Sequence, residues 1–165
     1  MRKSFLILCG VFTFLILMNC SNKNSKIVGK WKLTSWAVDL PLDINKDSIT
    51  SLNLLDELEC KNNETLVFDE HGIVMSNNTF HPTVEIGLNK ITKDYIFNVD
   101  CPEGVISNAT SYIVNNDGTI SINDEVVNIG DNFLTRTFKN AYNIYDENFV
   151  NVLDKRDLVL IYSKI

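Results

Sequence analysis

Ile27-Val28-Gly29-Lys30-Trp31-Lys32-Leu33-Thr34-Ser35-Trp36-Ala37-Val38 decides how this chain is read. Trp31, Leu33, Ser35 and Ala37 fall on one side of an extended strand, and Lys30, Lys32, Thr34 and Trp36 fall on the other. One tryptophan breaks the alternation. Either Trp36 covers an end of the fold, or a bulge shifts the register partway along the strand.

The sequence downstream keeps the same two-residue period. Leu66 and Phe68 point one way, Glu70-His71-Gly72 supplies the glycine that a hairpin needs, and Ile73 and Met75 resume after it. Val84, Ile86 and Leu88 form one alternating run, and Tyr95, Phe97 and Val99 another. Tyr112 and Val114 lead into Asn115-Asn116-Asp117-Gly118, a strong hairpin turn, and Ile120 and Ile122 leave it. Phe133 to Phe138 and Phe149 to Leu153 read as further strands, and Asp154-Lys155-Arg156-Asp157 as a turn. The last run, Leu158-Val159-Leu160-Ile161-Tyr162, is apolar on both faces, which predicts a mid-sheet strand closing against the first. Between Leu40 and Glu59 the pattern predicts either an irregular crossing loop or a short helix. Asp47 or Ser48 would cap that helix, Leu52, Leu55 and Leu58 would ride on it, and Leu54 and Leu55 would pack on an end of the fold.

Short strands about ten residues apart, with no long helix, predict an all-β sandwich or barrel. A barrel is favoured because closure leaves no long exposed edge. The expected fold is therefore an antiparallel up-and-down β-barrel of about 8–10 strands. The chain of 165 residues fits one domain, and a folded part of roughly 145 residues is large enough to bury about 68% of its unfolded surface without a structural metal. The net charge of −6 carries no basic cluster, which argues against a nucleic-acid partner.

The front of the chain is different. Arg2 and Lys3 precede an unbroken apolar run from Phe5 to Met18, too short for a membrane span and of signal-peptide length. Its end, Leu17-Met18-Asn19-Cys20, resembles the lipobox of bacterial lipoproteins, with Asn19 where that family prefers Gly, Ala or Ser. The resemblance implies cleavage before Cys20 and acylation of that cysteine. It divides the chain into a signal-peptide helix (1–19), a polar tether (20–26) and a barrel domain (27–165). The residue after the cysteine is Ser21, not an aspartate, which in such lipoproteins points to the periplasmic face of the outer membrane. Gly29-Lys30-Trp31, the stretch from Cys60 to Met75 and the C-terminal strand together resemble the lipocalin-like lipoproteins of Bacteroidetes-type bacteria. That likeness implies a lipocalin-like barrel whose Trp31 plugs a closed end. Asp47-Ser48-Ile49 is similar to a short O-glycosylation acceptor pattern of those bacteria.

Cys9 leaves with the leader and Cys20 is taken by lipid, so Cys60 and Cys101 remain as a pair. In an oxidising periplasm they are expected to form a disulfide, two free thiols being the alternative. They lack the close spacing of a zinc site, and no metal or cofactor is expected. His71 lies in a turn and His81 precedes Pro82, neither beside a nucleophile, so no catalytic residue is assigned and the protein reads as non-enzymatic. Asp56, Glu57 and Glu59 read as a solvated acidic face, and Asp69-Glu70-His71 as turn formers rather than metal ligands. Trp31, Phe68, Tyr95, Phe97, Tyr112 and Phe133 are the candidate lining of the barrel interior, serving either as plain core or as walls of a ligand cavity. The expected partners are the membrane, through the lipid, and a small apolar or amphipathic ligand. A protein of the cell envelope is the alternative to that ligand.

Overall fold

The computed structural model describes residues 26–165. The leader, Cys20 and most of the tether lie outside the described residues. Eleven strands follow one another: β1 (Gly29–Leu42), β2 (Ser51–Asn53), β3 (Thr65–Phe68), β4 (Ile73–Asn77), β5 (Thr83–Leu88), β6 (Tyr95–Asp100), β7 (Asn108–Val114), β8 (Ile120–Ile122), β9 (Glu125–Ile129), β10 (Phe133–Asp146) and β11 (Val152–Lys164). One 3-10 turn, Leu54–Asp56, is the sole helical element among the described residues.

Eight of these strands, β1, β3, β4, β7, β8, β9, β10 and β11, form a ring of antiparallel neighbours in chain order, and β11 closes it against β1. This is the up-and-down barrel expected from the strand spacing, and it is consistent with a lipocalin-like barrel. Two excursions stand outside the ring. β2 pairs with β1, and the β5–β6 hairpin joins the end of β10 through a parallel contact, Ile144↔Ile86 to Asp146↔Leu88.

The opening stretch explains the closure. Lys30 and Lys32 face solvent while Trp31 and Leu33 are buried, and between Leu33 and Ser35 the register against β11 shifts. After that bulge Trp36 and Val38 point inward. The odd tryptophan is thus a bulge marker, and the strand bends there as a small barrel requires. β10 bends by the same device. Its register against β11 shifts between Phe138 and Tyr142, with Asn140 at φ 53 and its N–H held by the Asp157 carboxylate at 3.0 Å.

The interior is packed with side chains from every strand of the ring. Trp31, Tyr162 and Phe68 are the largest fully buried ones, joined by Leu33, Leu54, Ile120, Val127 and Leu134. Each such side chain contributes roughly 1.5–3 kcal/mol over its exposed state. Phe68 and Tyr112 meet edge to face at 5.1 Å, a favourable geometry for two rings.

Several expectations need correction. Val74 occupies the core side of β4, and Ile73 and Met75 face outward. Asp47 and Ser48 cap nothing helical; Asn53 caps the 3-10 turn through a bond from the Leu55 N–H, and Leu52 lies exposed in β2. Leu54 does seat on the core, with Leu55 half-buried beside it. Asp154 to Asp157 form no turn. The chain reverses earlier, at Glu147–Asn151, and the charged run lies within β11. Glu57 is buried rather than solvated, because its carboxylate accepts the Ile44 N–H at 2.9 Å and holds the loop after β1.

Candidate functional site

Strand directions sort the loops into two poles. β1 begins, β3 ends and β11 ends at one of them, so the entry of the expected tether, the turns at 69–72, 115–119 and 130–132 and the last residue share that pole, the tether pole. The loops 43–64, 78–82 and 101–107 and the turns 123–124 and 147–151 gather at the other.

The tether pole is shut. Ile27 is 1% exposed, its carbonyl accepts the Trp31 indole N–H at 2.8 Å, and the Lys164 ammonium lies 5.2 Å from the Trp31 ring centre. A buried indole needs such a partner for its N–H. Trp31 thus closes this end of the barrel.

The opposite pole carries a cavity of about 450 Å³. Three loop segments wall it: Glu59 to Asn63, Asn78 to Pro82, and Cys101 to Val105. Cys60 and Cys101 are disulfide-bonded with Cα atoms 5.4 Å apart, tying the first wall to the third. The middle wall is fixed from two sides. The Thr79 N–H donates to the Ile106 carbonyl at 2.9 Å, and the His81 Nδ1 lies 2.7 Å from the Thr79 carbonyl, which it meets as a donor. Phe80 rests edge-on against Trp36 at 5.4 Å, and its N–H donates to Glu64 Oε2 at 2.8 Å.

Glu64 is the post beneath this mouth. It is 4% exposed, and its second oxygen accepts the Tyr162 hydroxyl at 2.6 Å. Burial, then the neighbouring Glu64 charge, push the Tyr162 hydroxyl well above the ordinary tyrosine range, so it stays a donor. Arg136 stands next in the chain of polar groups, bidentate to Glu125 at 3.0 and 2.6 Å. A buried carboxylate with two donors satisfied keeps its place without destabilising the core.

The six predicted lining residues divide in two. Trp31, Phe68 and Tyr112 lie inside the ring as packed core. Tyr95 and Phe97 do not line it: they sit on β6, outside the ring, half-buried against the core cluster. Phe133 is 51% exposed, its ring lying over Gly130 at a spot where a Cβ would come within 2.3 Å. His81 lines the mouth cavity and His71 lies in the 69–72 hairpin, where the Asp69 carboxylate takes the His71 and Ile73 N–H groups. Among the described residues, no group of three His, Cys, Asp or Glu side chains comes together to hold a metal.

The mouth residues Phe80, Pro82, Pro102 and Val105 escaped sequence reading because they belong to loops without periodicity. One signal was available, since a disulfide between Cys60 and Cys101 must bring their flanking segments together. Comparison with known proteins adds nothing to the geometry: no family model, no curated protein and no solved structure matches this chain.

Proposed function

We propose that this chain is a membrane-anchored lipoprotein of the cell envelope, held through Cys20 on the periplasmic face of the outer membrane, and that its barrel is a non-enzymatic binding module. The observation that carries the reading is the disulfide-framed cavity of about 450 Å³ at the pole opposite the tether. That volume falls in the range of small-molecule sites. Its walls combine Phe80, Pro82, Pro102 and Val105 with Lys61, Glu59, Asn63 and Asn78, which suits a small amphipathic ligand. The seat is thus at the barrel's mouth, while the interior serves as core.

Native mass spectrometry of the protein extracted from its own host membranes tests both halves of the reading. The expected result is a chain beginning at an acylated Cys20 and carrying a small-molecule adduct that Val105→Asp abolishes. A chain with free Cys20 overturns the anchor, and a chain without adduct overturns the ligand.

A second reading, a protein partner in the envelope, has its own observation. Ile73 and Met75 on β4, Ile113 on β7 and Val126 on β9 are all exposed on the outer face of the ring. Exposed apolar surface of this kind marks protein contacts when it is contiguous.

A further inference from the structure

The ring has no free edge, but the molecule has one. β6 ends the strand path, bonding β5 in six unbroken pairs from Thr83↔Asp100 to Leu88↔Tyr95, and no described strand meets its other side. Natural proteins blunt such an edge with Pro, charged side chains, a bulge or a very short strand. Tyr95-Ile96-Phe97-Asn98-Val99-Asp100 has one charge, at its last residue, and none of the others, and it has the length of an average strand.

The edge is also firmly held. At one end Cys101 is bonded to Cys60. At the other, the Asn89 carboxamide accepts the Ile91 and Thr92 N–H groups, and the Asn89 N–H donates to the Asp94 carbonyl at 3.0 Å. Midway, Ile96 lies against Gly87, where a Cβ would come within 2.8 Å of it, so the two strands approach closely.

We propose that β6 pairs antiparallel with β6 of a second copy of this chain, across a two-fold axis at Asn98. Opposed residues in such a pair share a face, so two central registers keep most of the strand paired. The register centred on Phe97 sets Asp94 against the second copy's Asp100 twice, and opposed like charges are destabilising. Centring on Asn98 removes that clash. Phe97 then faces the second copy's Val99 twice, and Ile96 faces its Asp100 twice. Asn98, whose carboxamide donates to Glu85 at 2.8 Å, stands opposite its own copy. Lys93 of each hairpin lies opposite the exposed Glu103 of the other, so basic meets acidic at both ends, with Asp94 opposite Pro102. Of the two central registers, this one sets no like charges directly opposite each other.

Sedimentation of the full chain in detergent micelles, over a concentration series, provides the test. A monomer–dimer equilibrium is expected, with the Tyr95, Phe97 and Val99 amides, which face the free edge, exchanging more slowly as the dimer fills. Lys93→Glu is expected to raise the dissociation constant about tenfold, and adding Glu103→Lys to restore most of it. A monomer at every concentration overturns the proposal. So does a dimer that ignores Lys93→Glu, or one whose β6 amides exchange as fast as in the monomer. None of these outcomes bears on the adduct or on Cys20, so the ligand reading stands or falls separately.

Discussion

The two poles of the barrel are built from the same chain by opposite means. At the tether pole the turns are tight and the plug is one side chain, Trp31, with its indole N–H given to Ile27 and its face covered by Lys164. At the mouth the loops are long, and their order comes from a covalent bond and a buried carboxylate. A short turn closes a barrel through backbone geometry alone. A long loop must be tied by something else, and whatever ties it also leaves room between the ties. The cavity belongs to the second kind of end.

The contrast can be broken at either pole. The largest effect is expected from Trp31→Ala, since removing a fully buried tryptophan commonly destabilises by about 3–5 kcal/mol. Urea denaturation should show that loss, and hydrogen exchange should quicken around the whole ring. A change confined to the tether pole would show that the plug is separable from the core. Next comes the double change Cys60→Ser with Cys101→Ser, which opens a loop spanning 41 residues. The chain-entropy argument puts the loss at roughly 3–4.7 kcal/mol, with native strain able to lower it. Here exchange should rise first in segments 59–63 and 101–105, with β1 and β11 still protected. Uniform loosening would erase the distinction between the poles.

The smallest effect concerns the post under the mouth. Tyr162 in the unfolded chain ionises near 10.0, while burial raises its hydroxyl far above that in the fold. The folded state therefore holds a proton that the unfolded state has lost. Its stabilising share is complete below about pH 10 and declines as pH rises beyond it, by about 1.4 kcal/mol per pH unit. Tyr142 behaves alike, raised by burial alone. Denaturant midpoints should fall above pH 10, and Tyr162→Phe should flatten the fall. An unchanged slope would mean that the hydroxyl is not held under the mouth.

Much of this architecture was legible in the sequence because a half-buried strand writes its geometry as alternation. Trp31 and Leu33 against Lys30 and Lys32, and the turn at Asn115–Gly118, lead directly to their places in the ring. The misplacements have several physical sources. Bulges move an inward-facing side chain by one position, which is why Trp36 sits with the lysines in sequence and with the core in space. Charges within a strand imitate a turn when the strand nears an open end: Asp154 to Asp157 lie opposite the stretch of β10 around its bulge. β9 was missed because its turn, Asn123-Asp124, has no glycine, although both residues adopt the left-handed conformation at φ 47 and 65. Tyr95 and Phe97 alternate like core residues because β6 covers the outside of the barrel with one face. Periodicity reports burial and does not say on which side of a wall the burial lies.

The placement of the mouth has one further consequence, for reach. β11 runs 13 residues from the open end to the end that receives the tether. At about 3.3 Å per residue and a tilt near 35–45°, its height is roughly 30 Å. The six residues from Ser21 to Lys26 add about 20 Å at full stretch. On the anchored reading, a molecule entering the mouth arrives from the aqueous side, well above the lipid headgroups, so its solubility in water limits what the site can collect.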